Sequence, residues 1–370
     1  NIFNKLFNIN QILKNFMTSP PISPINVSFE FFPPKNKESI TSLWKNIKRL
    51  EPLDPRFISV TYGAGGSTRE NTHSLVKEIK EKTSLTPAAH LTCVGTSKTE
   101  IERIADDYWS SGIKHIVALR GDERANNYEK VKDFKYATDL IKVLKDRFDF
   151  EITVSAYPEM HPDSKSLNQE YDVLKKKIDL GASKAITQFF FDIDCYFDFV
   201  DGALKRGIEI PIIPGILPVT NCKRTFEFAK KMNCKMPKSL IEMFEGLDSD
   251  PETRKLVATT VVHDQCKRLL EGKVNDFHFY TLNRADLSFA ICHILGIRKQ
   301  RKVWSFMNRY DELIELLKKK ILILDGAMGT MIQRENLKEN DFRGEIFSKT
   351  KINLSGNNDI LNITKKDVIH

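Results

Sequence analysis

Asn26-Val27-Ser28-Phe29-Glu30-Phe31-Phe32-Pro33-Pro34 is the stretch on which the fold turns. Its alternation puts Val27, Phe29 and Phe31 on one face and Asn26, Ser28 and Glu30 on the other, the period of a strand. Seven further β-type runs follow: Arg56 to Tyr62, Pro87 to Cys93, Lys114 to Arg120, Phe150 to Ala156, Lys184 to Phe190, Ile210 to Ile216 and Asn275 to Thr281. Helical stretches separate them, as in Thr99 to Ser110, where Ile101, Ile104, Ala105 and Tyr108 recur at helical spacing. This alternation predicts an α/β chain folded as a (β/α)8 barrel, whose active site gathers at the carboxyl ends of the strands. Glu30, Thr61, His90, Arg120, Asp122, Tyr157, Gln188, Tyr280 and Arg284 all fall at or just past such an end.

The 370 residues suffice for one barrel, expected over 21–297, with a short, incomplete extension. Asn1 to Met17 is apolar but interrupted by Asn and Lys, so residues 1–20 read as an amphipathic lead-in helix rather than a signal peptide. No stretch approaches the ~18 apolar residues of a membrane span. The formal charge of +8 lies mostly in residues 298–370, which hold 15 Lys and Arg against 10 Asp and Glu. The basic run at Arg298, Lys299, Arg301 and Lys302 reads as a solvated linker and not as a nucleic-acid surface, because it is short and lacks interleaved aromatics. Six cysteines, with no C-x-x-C pair and no H-E-x-x-H, signal neither a disulfide frame nor a zinc site and point to the cytoplasm. The interval Pro218 to Asn275 should hold two or three helical pieces in an elaborated crossover.

On the inward face Glu30 points into the barrel mouth. A carboxyl group partly desolvated there would have a raised pKa and serve as a general acid; the plainer alternative is a structural carboxylate paired with Arg120. At Ala118-Leu119-Arg120-Gly121-Asp122 the glycine permits close backbone approach to a ligand between a cation and an anion. Tyr62-Gly63-Ala64-Gly65-Gly66 misses the G-x-G-x-x-G dinucleotide pattern, because position 68 is Thr and the segment ends a barrel strand. His73, His115, His263 and His293 read as ordinary histidines, and Phe189-Phe190-Phe191 as barrel packing beside a ligand-facing Gln188.

These segments together resemble the methylenetetrahydrofolate reductase family. The motifs are Phe29-Glu30-Phe31-Phe32-Pro33-Pro34, Val60-Thr61-Tyr62-Gly63-Ala64, Ala89-His90-Leu91-Thr92-Cys93 and His115 to Asp122. Ala156-Tyr157-Pro158-Glu159 with His161, Ile186 to Asp192, Ile213 to Pro218 and Phe277 to Arg284 complete the set in order. The resemblance implies a flavoprotein of the shorter bacterial type with tightly bound FAD, which NADH reduces before 5,10-methylenetetrahydrofolate takes its place and is reduced to 5-methyltetrahydrofolate, feeding methionine synthesis. It implies Glu30 as the general acid and Asp122 as the carboxylate near flavin and pterin. Thr61, Tyr62, Ala64, His90, Leu119, Arg120, Gly121, Tyr136, Ala137, Tyr157, His161, Glu170 and Lys177 match flavin contacts. Gln188, Phe228, Tyr280 and Arg284 match the nicotinamide and folate side, with Phe228 as the stacking aromatic. The family usually has Asp at Glu170 and Gln at Arg224, which puts a folate contact at Arg224 in doubt. Its relatives form homotetramers, which carries over as an expected homo-oligomer. NADH against NADPH stays open.

After Gly296 the texture changes. Trp304 to Lys319 reads as an amphipathic helix ending a linker over 298–320. Ile321-Leu322-Ile323-Leu324-Asp325-Gly326-Ala327-Met328-Gly329, Asp341-Phe342-Arg343-Gly344-Glu345 and Gly356-Asn357-Asn358-Asp359 resemble the opening of cobalamin-dependent methionine synthase. That resemblance makes 321–370 a truncated, poorly ordered and inert fragment, since one barrel strand cannot bury its own apolar face. A homocysteine methyltransferase, argued from this tail, and a non-enzymatic binding barrel, argued from charge, are the competing readings.

Overall fold

The computed structural model describes residues 25–34, 36–62, 66–121, 133–298, 332 and 334–365. The expected lead-in helix of 1–20, the site residues Ala64 and Asp122, the helix Trp304 to Lys319 and the strand Ile321 to Leu324 lie outside the described residues. The chain divides into two units, Asn1–Arg301 and Lys302–His370.

In the first unit β1 (Asn26–Phe31), β2 (Phe57–Val60), β3 (Pro87–Thr92), β4 (His115–Leu119), β5 (Glu151–Ala156), β6 (Ala182–Thr187), β7 (Ile212–Ile213), β8 (Gly215–Ile216) and β9 (Asp276–Tyr280) pair in parallel in the order β7-β6-β5-β4-β3-β2-β1-β9-β8. The predicted run Ile210 to Ile216 is not one strand. Pro214 has no N–H for the ladder, so the run breaks into β7, paired with β6, and β8, paired with β9. The two halves of this seventh position close the barrel, helped by the Pro214 carbonyl, which accepts from the His278 amide at 3.0 Å.

The sixth run also differs from expectation. A register shift against β5 between Ile152 and Thr153 lets β6 start at Ala182 and stop at Thr187, so Gln188 and Phe189 lie past its end. The others agree with the reading to within two residues at either end.

Around the strands run α1 (Lys37–Leu50), α2 (Gly66–Lys82), α3 (Lys98–Ser110), α4 (Ala137–Arg147), α5 (Leu167–Asp179), α6 (Ile193–Leu204), α7 (Cys222–Lys231), α8 (Lys238–Met243), α9 (Pro251–Glu271) and α10 (Ala285–Ile294). Helix α1 starts where the prolines release the chain. Asn36 accepts from the Ser39 amide at 2.8 Å and Ser39 Oγ accepts from the Asn36 amide at 3.1 Å, satisfying two otherwise orphaned donors. Its Leu43, Ile47 and Leu50 then bury against Val27, Phe29 and Phe31 in the main core between sheet and helices. A second cluster, Phe57, Ala88, Val117, Ile186 and Ile213, fills the barrel interior. Ion pairs Arg56–Asp276 and Lys184–Glu151 lie at its amino-terminal end. The interval Pro218 to Asn275 holds three helices, as expected. Among the described residues no helix is long and apolar enough to cross a membrane.

In the second unit α11 (Glu339–Arg343) and α12 (Leu361–Thr364) bury Phe342 and Leu361 with Ile332. Glu339 accepts from the Leu354 amide and pairs with Arg343. Helical turns thus give Ile332 and residues 334–365 a small core of their own.

Candidate active site

The carboxyl ends of the strands enclose a cavity of about 370 Å³, within the span usual for small-molecule sites. Nine of the predicted site residues line it: Glu30, Thr61, Tyr62, His90, Leu119, Tyr157, Gln188, Phe228 and Tyr280.

Glu30 sits near the end of β1, opposite Ser59 on one neighbour and Tyr280 on the other. Its Oε2 lies 3.4 Å from His90 Nε2 and 3.8 Å from His278 Nε2. These are ion-pair distances without hydrogen-bond alignment, and both buried imidazole nitrogens lack a hydrogen-bond partner. Burial lowers the His90 pKa, against the opposing pull of the Glu30 carboxylate, and so favours the neutral ring. His278 is fixed from its other side by Ser28, whose Oγ lies 2.7 Å from Nδ1. The Arg120 pairing is not what forms: Arg120 Nε donates to the Lys135 carbonyl at 3.1 Å.

A second group adjoins the cavity at the end of β5. Tyr157 packs edge-on to His161, with ring centroids 4.8 Å apart, and the His161 amide donates to Glu170 Oε1 at 3.0 Å. Lys177 is almost fully buried and donates from Nζ to the carbonyl of Ser155, which lines the cavity. Burial pulls its ammonium from 10.5 down to about 8, partly offset by Glu170. The longer carboxylate at position 170 thus braces the His161 backbone.

Tyr136 and Ala137 begin α4, where Asp139 accepts from the Lys135 and Tyr136 amides. Gly121 has φ +89°, and a Cβ there would stand 3.0 Å from Thr92 Cβ. The structure thus ties this glycine to its backbone conformation and to the close approach of Thr92.

On the opposite wall Phe228, on α7, stacks on Phe189 at 5.2 Å. Gln188 turns its Oε1 to the next amide. The Tyr280 hydroxyl donates to the Thr187 carbonyl at 2.8 Å, and burial pushes its phenol well above the ordinary range. Arg284, at the start of α10, and Arg224, on α7, are exposed and stand outside the cavity wall.

His278 is not among the sequence-predicted site residues, and Phe189 reads in the sequence as packing. His278 shares its face of β9 with Tyr280, so strand alternation alone would have placed it inside. Phe189 is a wall residue because β6 ends at Thr187, which depends on inter-strand register. His115, bonded through Nε2 to Thr153 Oγ1 at 2.7 Å, and His73, between Tyr62 and Tyr108, are structural as expected.

Residues 19–296 match the model of the family described as Methylenetetrahydrofolate reductase. A protein of Pectobacterium carotovorum subsp. carotovorum, named 5,10-methylenetetrahydrofolate reductase, is 53% identical over 274 residues, covering 74% of this chain and 91% of the relative. The protein of that name from Escherichia coli (strain K12) is 52% identical over 274 residues, with 74% and 92% covered. Methylenetetrahydrofolate reductase (NADH) 1 of Arabidopsis thaliana is 32% identical over 290 residues, with 75% and 49% covered. A Clostridium thermocellum protein whose structure binds two copies of 5-methyl-5,6,7,8-tetrahydrofolic acid matches the fold at TM-score 0.51 and 15% identity, over 74% of this chain and 95% of that one. A barrel with an acid at the end of its first strand and half to nearly all of each relative's length matched in sequence is thus an oxidoreductase, and the chain belongs to the methylenetetrahydrofolate reductase family.

Proposed function

We propose that the chain reduces 5,10-methylenetetrahydrofolate to 5-methyltetrahydrofolate with NADH as electron source, in the cytoplasm, as a homo-oligomeric FAD enzyme feeding methionine synthesis. The observation that carries this reading is the setting of Glu30: a carboxyl group in the wall of a ligand-sized cavity, beside two imidazoles and sharing that cavity with a stacked aromatic pair.

A flavin dinucleotide suits the donor set. Lys177 is a buried cation that donates to a backbone carbonyl, and an anionic diphosphate would compensate its lost solvation. Thr61, Tyr62, Leu119, Arg120, Gly121, Tyr136, Ala137, Tyr157, His161 and Glu170 would hold the rest, joined by Ala64 and Asp122. When bound, the flavin supplies two-electron hydride chemistry that no protein side chain offers. This chain's residues do the remainder. Glu30 delivers the proton that opens the folate's bridging ring, the neutral His90 beside it adds no competing positive charge, and Ser28 holds His278 against the same carboxyl. Phe189 and Phe228 give a flat ring a surface to stack on, alternately for nicotinamide and pterin in a ping-pong cycle.

The test is a visible spectrum of the purified full chain. A flavin band bleached anaerobically by NADH and restored by 5,10-methylenetetrahydrofolate is expected; colourless protein, or a band that NADH leaves untouched, overturns the reading.

A further inference from the structure

Helix α7 carries Phe228 with little apolar grip of its own. Among its residues only Thr225 and Ala229 are buried, while Phe226 and Phe228 are 44% and 42% exposed. Small side chains bury little surface, so the position of such a helix is set mainly by its ends. The amino end is held by Asn221, whose side chain accepts from the Arg224 amide at 2.9 Å. The carboxyl end runs into Met232-Asn233-Cys234-Lys235, and this turn is tied to the loop after β5.

Two bonds at Glu159 make the tie, and a third bond holds the same turn to the segment after β6. Asn233, at φ +58°, donates from Nδ2 to the Glu159 carbonyl at 2.8 Å, beside Met160 at φ +69°. The Lys235 amide donates to Glu159 Oε1 at 2.9 Å. Cys234 Sγ donates to the Phe189 carbonyl at 3.1 Å. Glu159 Oε2 is buried without a partner. Burial raises the Glu159 pKa, with Lys235 opposing and Asp192 adding to the rise. A carboxyl group kept in such surroundings for a single amide bond needs an explanation.

We propose that Glu159 is a positioning residue whose bond to the Lys235 amide fixes the end of α7, and so sets Phe228 over Phe189 opposite Tyr157. This rests on the reading that Phe228 is a wall against which substrates stack. Glu159 lies two residues from Tyr157 and two from His161, so it joins the two walls of the cavity through one side chain. The Asn233 bond goes to main-chain carbonyl and survives any side-chain change at 159. Loss of the carboxyl should therefore loosen α7 without unfolding the barrel.

The experiment compares the holoenzyme with its Glu159→Ala and Glu159→Gln variants. Glu159→Ala should raise KM for NADH and for 5,10-methylenetetrahydrofolate about tenfold, the scale of one hydrogen bond to a charged acceptor. Flavin content should stay unchanged, and amide hydrogen exchange across residues 226–236 should become faster. Glu159→Gln, which keeps an acceptor oxygen for Lys235, should bring all three readings back to within about twofold. In a Phe228→Ala background Glu159→Ala should add little, because both act on one wall. Unchanged exchange at 226–236, a Gln variant as poor as the Ala variant, or effects that multiply in the double variant would each overturn the proposal. The exchange reading needs no turnover, so failure of this idea is distinct from absence of reductase activity in the wild-type chain.

Discussion

Lys177→Met should make the flavin-free protein more stable at neutral pH while weakening its hold on an anionic dinucleotide. The ammonium is buried, donates to the Ser155 carbonyl at 3.0 Å, and titrates at about 8 instead of 10.5. A base whose folded pKa lies below its unfolded value binds fewer protons folded, so stability rises with pH between about 8 and 10.5, and the whole penalty is present below pH 8. At 1.36 kcal/mol per unit the penalty is about 3 kcal/mol. Methionine removes it at similar volume, but leaves the Ser155 carbonyl without its donor and Glu170 without an opposing charge, a loss of about 1 to 2 kcal/mol. The net gain is about 1 to 2 kcal/mol, a rise in Tm of roughly 2 to 6 °C.

Urea unfolding of flavin-stripped protein at pH 7 and pH 9.5 measures it. The advantage of the variant should shrink by roughly 2 kcal/mol at the higher pH, where wild-type Lys177 is mostly neutral. Equilibrium dialysis against FAD should show affinity lower by tenfold or more, on the order of one charge-assisted contact. A variant less stable than wild type at pH 7, or a difference that does not move with pH, would refute the claim that Lys177 is a desolvated charge awaiting an anion.

Glu30→Gln should leave flavin bleaching by NADH nearly intact and slow reoxidation by 5,10-methylenetetrahydrofolate by about 10² to 10⁴, as stopped-flow traces of each half-reaction will show; equal loss in both would make Glu30 structural. Gly215→Ala places a Cβ 2.2 Å from the Thr187 carbonyl and 2.6 Å from the Tyr280 ring, so it should displace Tyr280 and lower Tm by several degrees, about 1 to 3 kcal/mol of overpacking. Acid should weaken the fold as pH falls from 6.5 to about 4, because burial holds His73 and His115 at about 4 and the unfolded chain takes up protons that the folded one refuses. Tm measured against pH should be flatter over that window in His73→Gln.

The barrel was legible because its signals are local. Strand alternation at Val27, Phe29 and Phe31 and the helical spacing at Ile101, Ile104 and Tyr108 need no knowledge of partners. The break at Pro214 was readable in principle, since a proline cannot serve a central strand, but Ile212, Ile213 and Ile216 outweighed it in propensity. Pairing was not legible. The neighbours of Glu30 come from β3 and β9, and a shift between β5 and β6 decided that Phe189 belongs to the cavity wall. Glu159 stood within the Ala156-Tyr157-Pro158-Glu159 motif, yet its bond crosses to Lys235 on a segment whose place depends on the whole crossover.

The interior also shows why the site lies on one side of the barrel. At and above the level of Glu30, β9, β1, β2 and β3 contribute Tyr280, Glu30, Ser59, Thr61 and His90, with His278 one step below, whereas β4 and β6 contribute Val117, Leu119 and Ile186 and β5 between them adds the small Ser155. Ser59 Oγ, His90 Nε2 and His278 Nε2 are buried without hydrogen-bond partners. Each such group costs about 1 to 3 kcal/mol against a net stability of roughly 5 to 15 kcal/mol, so three together are not a neutral choice of core. Val, Ile or Leu at those positions would pack a barrel interior at lower free energy, as they do across from it. The division is what an amphipathic flat ring requires: an apolar face along β4 and β6 to rest on, and a proton donor with tightly held imidazoles along the opposite arc. Stability is thus lower on the arc that handles the proton, and the apolar arc keeps the cavity shaped while it does so.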